Sequence, residues 1–288
     1  AVNAEQQQLL LRRRAEDREK MTQAAFQISR GQLENADSLV GKVTSLRPSL
    51  ESESVLRTLG EWHVFRDEWD QAAMRFNQLL EADQEDNSWE ITDDLLRVGP
   101  ILIERGDLRG YERFRTVAMA RFAGTTDPIF AERTLKISLL APASSEVLKT
   151  LEAFYNVAAE SIEREKGNVG NAPIMASWRC ISLGLMAYRQ NLTPTAKAWC
   201  QRSIDYWGDG SAHLATAHLI IAMSCQRLGE LDQARSELAT GKQLVDAAFA
   251  GGLKQGDGIA GFWFDWIFAR VLLNEAQSLI PHELPATP

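Results

Sequence analysis

Residues 56–76 read LRTLGEWHVFRDEWDQAAMRF. Leu56, Leu59, Gly60 and His63 recur at intervals of three and four, which puts them on one face of a helix. Ala72 and Phe76, four apart, share a face of a second helix. The two small residues have a packing reason. Gly60 on the first helix and Ala72 on the second let the helices approach closely, and the large residues fill the seam between them.

The same spacing can be laid along the rest of the chain. Leu95, Val98, Gly99 and Leu102 lead through Gly106 to Tyr111, which stands where the second small residue is expected. Cys180, Leu183, Gly184 and Ala187 lead to Ala196 and Cys200, and His218, Ile221, Ala222 and Cys225 lead through Gly229 to Ala234 and Leu238. A weaker copy opens the series with Ala24, Gly31, Leu33, Ala36 and Val40, closed by Pro48. Helices are expected at about 129–140 and 145–163, which keep only the rhythm. This spacing resembles the tetratricopeptide (TPR) repeat W-x2-LG-x2-Y…A-x3-F, with Leu for Trp and His for Tyr in the best copy. The resemblance implies an all-α, right-handed superhelix of about five helix pairs.

Punctuation agrees with that class. Gly31, Gly106 and Gly229 each separate two helical patterns, and Asp127-Pro128 and Thr193-Pro194 each place a capping oxygen ahead of a Pro. Alternating β-branched runs are absent. Three segments are expected: a polar connector helix at 1–23, the repeat array at 24–257 with a loop insertion at 165–175, and an apolar capping helix and tail at 258–288.

With 31 Lys+Arg against 39 Asp+Glu the chain carries a net charge of -8, which disfavours phosphate backbones, so no nucleic-acid partner is expected. The most apolar stretch, Gly258 to Leu273, contains Asp265 and Arg270 and is too short to span a bilayer. The sequence opens at Ala1 without an initiator Met and reads as a fragment rather than a precursor.

Candidates for chemistry are few. Cys180, Cys200 and Cys225 include no CxxC pair and fall at core positions of the repeat, where a thiol acts as a small hydrophobe. His63 and His218 occupy core positions, and His213, five residues from His218, does not share its helix face; His282 lies in the tail. Gly256, Gly258 and Gly261 match GxGxxG, but the end of a helix precedes them where a dinucleotide fingerprint needs a buried strand. The acidic run Glu81–Glu90, with Asp93 and Asp94, lacks the spacing of a calcium loop and reads as a solvated segment. No cofactor, metal site or catalytic set is expected, and the chain reads as a non-enzyme.

The remaining functional surface is the groove. In TPR proteins, positions 2, 5, 9 and 12 of each first helix line it. Here these are Ser54, Arg57, Glu61 and Val64, then Trp178, Ile181, Leu185 and Tyr188, then Thr216, Leu219, Met223 and Gln226. Aromatic and Arg residues among them, chiefly Arg57, Trp178 and Tyr188, are the expected anchors for a protein or peptide ligand. The family's clamp for C-terminal carboxylates takes Asn at position 9, and Glu61 departs from it. The competing reading is that the apolar members pack against neighbouring helices. A homodimer through the N-terminal helix is a further expectation.

Four phrases carry a narrower resemblance: RTLGEWHVFRDEWDQAAMRF (57–76), GDLRGYERFRTVAMARFAGTTDP (106–128), AERTLKISLL (131–140) and GFWFDWIFARVLLNEA (261–276). They resemble the C-terminal TPR region of large bacterial serine/threonine protein kinases of the planctomycete and verrucomicrobial kind. That resemblance implies a kinase domain and a membrane span upstream, with residues 1–23 as a juxtamembrane connector and the array as a sensing or docking region. Arg12, Arg13 and Arg14 favour the inner side of the membrane, whereas a region C-terminal to one span would lie outside. A free-standing TPR adaptor is the alternative, and a small-molecule sensor using the glycine-rich loop is the third reading.

Overall fold

The computed structural model describes residues 2–46, 49–82, 89–165, 173–208 and 211–281. Among them are six helix pairs in chain order: α1 (Val2–Ser29) and α2 (Leu33–Val40), α3 (Leu50–Val64) and α4 (Trp69–Ala82), α5 (Trp89–Glu104) and α6 (Leu108–Arg121), α7 (Pro128–Ser138) and α8 (Ser145–Arg164), α9 (Pro173–Arg189) and α10 (Thr193–Tyr206), α11 (Ala212–Leu228) and α12 (Leu231–Ala250). A short hairpin, β1 (Gly256–Asp257) against β2 (Gly261–Phe262), leads into α13 (Trp263–Leu279).

One turn is built five times. Gly31, Asp67, Gly106, Asn191 and Gly229 adopt left-handed φ values of 72°, 58°, 76°, 62° and 77°. At each, the turn residue's N–H donates to the carbonyl three residues back and the next N–H to the carbonyl five back. Gly31 N reaches Ile28 O at 2.8 Å and Gln32 N reaches Gln27 O at 2.9 Å; Asn191 N reaches Tyr188 O at 3.1 Å and Leu192 N reaches Ala187 O at 2.8 Å. This pairing ends the first helix by satisfying its last carbonyls. Five residues after each turn comes a fully buried residue: Ala36, Ala72, Tyr111, Ala196 and Ala234. The three glycines were the expected turn residues, and Asp67 and Asn191 fill the same role. Asp and Asn tolerate the left-handed region better than other residues with a side chain.

The seams explain the small residues. A Cβ on Gly60 would lie 2.6 Å from the Phe76 ring, and one on Gly184 would lie 2.6 Å from Cys200 Sγ. Position by position, this is the close approach that the sequence spacing requires, and the chain is an all-α TPR-like repeat protein.

Caps set the helix starts. Ser49 Oγ accepts from Ser52 N at 3.1 Å, and Asp127 Oδ1 accepts from Ile129 N at 2.7 Å, with Pro128 opening α7. Thr193 does not cap α10. The turn at Asn191 brings the chain in one residue earlier, so Leu192 is the N-cap and Thr193 is already helical.

The chain divides into two compact units, Ala1–Ile101 and Leu102–Pro288, with α5 running across the division. In the first unit, the segment expected as a separate connector at 1–23 is continuous with the first repeat, because α1 is one helix from Val2 to Ser29. Residues 4–13 are exposed, including Leu9, Leu10 and Leu11. It seats on the unit from Asp17 onward, through Met21 and Ala24. Asp17 Oδ2 accepts from Thr44 Oγ1 at 2.8 Å and Ser45 N at 2.9 Å, tying α1 to the segment after α2.

In the second unit α13 packs on α11 and α12, as expected of a helix that covers the last pair. Yet it has almost no outer face. Trp263, Phe264, Asp265, Ile267, Phe268, Ala269, Val271, Leu272, Leu273 and Ala276 are all buried, so it is a central helix of this unit's core. The hairpin before it replaces the flexible loop expected there. A Cβ on Gly256 would come 2.2 Å from Gly261 O, so the glycine spacing serves a tight β-turn. The N-terminus of α13 is occupied by its own Asp265, whose Oδ2 accepts from Phe262 N at 3.0 Å. Pro48, His282, residues 83–88 of the acidic run and residues 166–172 of the expected insertion lie outside the described residues.

Candidate partner-binding face

Of the twelve groove positions, the first unit holds four. Ser54 is exposed, and Arg57 is partly so, its side chain 28% accessible. Glu61 is buried, and Val64 has no accessible surface. Arg57 is engaged: Nε and Nη2 donate to Oδ1 and Oδ2 of Asp94 at 2.8 and 2.7 Å. Arg97 extends the network, from Nη1 to Asp94 Oδ1 at 3.2 Å and from Nε to Glu61 Oε1 at 3.4 Å. Asp94, expected in a solvated acidic run, is instead the buried centre of a charged ladder between α3 and α5.

A second polar network in this unit surrounds His63. Its Nδ1 lies 2.6 Å from Glu68 Oε2 and its Nε2 lies 3.1 Å from Asp37 Oδ1, while Arg75 Nε donates to the same Asp37 oxygen at 2.6 Å. Burial pushes the Asp37 carboxyl up, but Arg75 and His63 outweigh it and hold it below the usual range. Glu68 is lowered by His63 and then Arg66. The core place assigned to His63 is therefore also a polar joint between α2, α3 and the start of α4.

The second unit treats its groove positions differently. Ile181, Leu185, Tyr188, Thr216, Leu219 and Met223 have no accessible surface, and Trp178 retains 9%. Only Gln226, at the end of α11, is half-buried. As anchors for a ligand, Trp178 and Tyr188 are corrected: their rings carry cations of this chain. Lys136 Nζ lies 3.3 Å from the Trp178 ring centre, and the Arg227 guanidinium lies 3.6 Å from that of Tyr188. Val64 and Glu61 are corrected on the same ground of burial.

What fills this inner face is a set of side chains that the repeat template does not predict. Lys136 on α7 donates to Asp265 Oδ1 on α13 at 2.5 Å, with both side chains 5% accessible. Arg189 at the end of α9 pairs with Glu275 on α13 and donates to Leu139 O and Leu140 O. Arg270 pairs with Glu104 at 2.9 Å. Ser182 on α9 donates to Glu132 Oε1 on α7 at 2.8 Å. A sequence signal was present, since Asp265 and Arg270 interrupt the most apolar stretch, but their partners are 129 and 166 residues away.

The thiols are buried. Burial pushes Cys180 up to about 12 and raises Cys200 further; Cys225 rises to about 11, first through burial and then through Glu230. Thiols so far from ionisation at neutral pH are poor nucleophiles. Among the described residues no group of three or more His, Cys, Asp or Glu could hold a metal ion, and no helix is long and apolar enough to cross a membrane.

No family model matches the chain, and no curated protein matches it. Among solved structures it is similar to MamA MSR-1 C2, at 15% identity and a TM-score of 0.35 over 68% of this chain and 98% of that one. It is also similar to a MamA RS-1 ArsTM double mutant, at 16% and 0.36 over 69% and 97%. The TPR2AB-domain:pHSP90-complex of yeast Sti1 matches at 15% and 0.26 over 89% and 98%. At such TM-scores the likenesses carry no argument, and the repeat assignment rests on the chain's own turns and seams.

Proposed function

We propose that this chain is a protein- or peptide-binding scaffold and that the first unit presents its contact face, around Ser54 and Arg57. The observation that supports it is the contrast in accessibility. Ser54 and Arg57 reach solvent on the face that the repeat turns toward ligands, whereas the equivalent residues of α9 and all but Gln226 of α11 are closed off. A photo-crosslinking amino acid at position 54, with a control at the exposed Asp232 on α12, tests the reading in source cells. Discrete adducts from position 54 alone support it. No adducts, or the same set from both positions, overturn it.

A narrower reading makes the scaffold the regulatory or sensing region of a membrane-anchored serine/threonine protein kinase. The support is the resemblance of residues 57–76, 106–128, 131–140 and 261–276 to such regions. An immunoblot of source cells decides between this and a free-standing adaptor. A membrane-fraction band several tens of kDa larger than this chain favours the kinase; a soluble band of the chain's own size contradicts it.

A further inference from the structure

Glu132 is 4% exposed, and its one hydrogen-bond partner among the described residues is the Ser182 hydroxyl. The nearby cation, Lys136, is committed elsewhere: its ammonium sits on Asp265 and over the Trp178 and Phe268 rings. The buried junction of α7, α9 and α13 therefore holds two carboxyl groups and one ammonium, with Arg133 half-buried beside Glu132 on α7. Asp265 is the better provided, with Lys136 on one oxygen and the Phe262 N–H on the other. Ionised, Glu132 would be a buried carboxylate with a neutral hydroxyl as its hydrogen-bond donor and no ion pair of its own among the described residues, a cost that a carboxyl group avoids by keeping its proton.

We propose that Glu132 is a carboxylic acid at neutral pH and that loss of its proton loosens the α7–α9–α13 junction, making it a latch that opens toward alkaline pH. The charged groups acting on Glu132 are Lys136 and Arg133 on its own helix and Asp265 on α13, with the Ser182 hydroxyl facing it from α9. Burial is the first cause raising this carboxyl; Lys136, Ser182 and Arg133 oppose it, and Asp265 adds to it. A carboxyl raised in the folded state gives stability that is complete below its unfolded value and lost as pH rises through its folded one. The part that opens is local. Asp265 caps α13 next to the hairpin, so Gly261–Asp265 is the segment whose anchoring depends on the cluster.

The test is hydrogen exchange of the full chain from pH 6 to pH 9, corrected for intrinsic rates, on wild type and Glu132→Gln. In wild type, opening of Gly261–Asp265 should grow by up to about tenfold per pH unit as the pH climbs toward the folded value, and level off above it. In Glu132→Gln, which keeps an acceptor for Ser182 and cannot ionise, that growth should vanish. Infrared spectra of the wild type provide a reading that needs no variant. A protonated-carboxyl band at neutral pH, fading as the pH is raised, supports the proposal. Parallel exchange profiles in the two proteins, or no such band at neutral pH, overturn it.

Discussion

The two units use the same helix pair and finish it differently. In the first, α3 keeps Ser54 and part of Arg57 in water, and its polar joints match carboxylates with cations: Asp94 with Arg57 and Arg97, and Asp37 with Arg75. In the second, α13 returns to α7, α9 and Glu104, and α9 is buried from Ala176 to Arg189. A repeat template defines the seam within each pair. Whether the remaining face becomes a binding surface or a core depends on what later chain packs against it.

The largest expected effect falls where that closure is made. Asp265→Ala leaves the buried Lys136 ammonium without its partner and removes the cap of α13, and should cost about 3–5 kcal/mol in urea unfolding. A cost below about 1 kcal/mol would show that water reaches the junction, and the contrast between the units would fail. Next come the seams, expected to behave alike in both units. Gly60→Ala and Gly184→Ala force a methyl group against Phe76 and Cys200, and each should cost about 1–3 kcal/mol despite alanine's better helix propensity.

Arg57→Ala sharpens the functional side. It leaves Asp94 buried with Arg97 as its remaining cation, so a loss of about 1–3 kcal/mol is expected along with weaker partner binding. Ser54→Trp blocks the same face without removing a member of the ladder and should weaken binding with stability unchanged, measured by pairing thermal unfolding with co-precipitation of the partner that position 54 crosslinks. The first unit should also weaken in acid. Asp37 and Glu68 are lowered in the folded state, so the stability they supply is present above their unfolded values and lost as pH falls through the folded ones. Hydrogen exchange of α2 and α3 should rise on acidification, opposite to the alkaline opening of α13. The smallest effect is at the turns: Asp67→Gly relieves a left-handed backbone and should stabilise by about 0.5–1 kcal/mol.

The fold was legible because its rules are local. Gly60, Ala72 and Phe76 lie within one hairpin, and the turn residues Gly31, Gly106 and Gly229 each stand five residues before a core position, Ala36, Tyr111 and Ala234. The turns at Asp67 and Asn191 were harder to see because two non-glycine residues do glycine's work. The site was less legible. Template positions indicate which way Trp178, Tyr188 or Val64 points, but not that Lys136, Arg227 or a neighbouring helix already occupies that direction. The pairings that close the second unit, Lys136 with Asp265 and Arg189 with Glu275, span 129 and 86 residues, beyond the reach of any local spacing. Asp265 inside GFWFDWIF was the visible clue, as a buried acid in such a run requires a distant cation.

The most direct test compares the two inner faces by thiol labelling. Cys180, Cys200 and Cys225 are buried, so an introduced cysteine is read against a low background. Ser54→Cys should react with a thiol reagent at nearly the rate of a free thiol, and Thr216→Cys at least about a thousandfold more slowly, since it needs an opening of about 4 kcal/mol. Rates within about tenfold of each other would contradict an open face in the first unit and a closed core in the second.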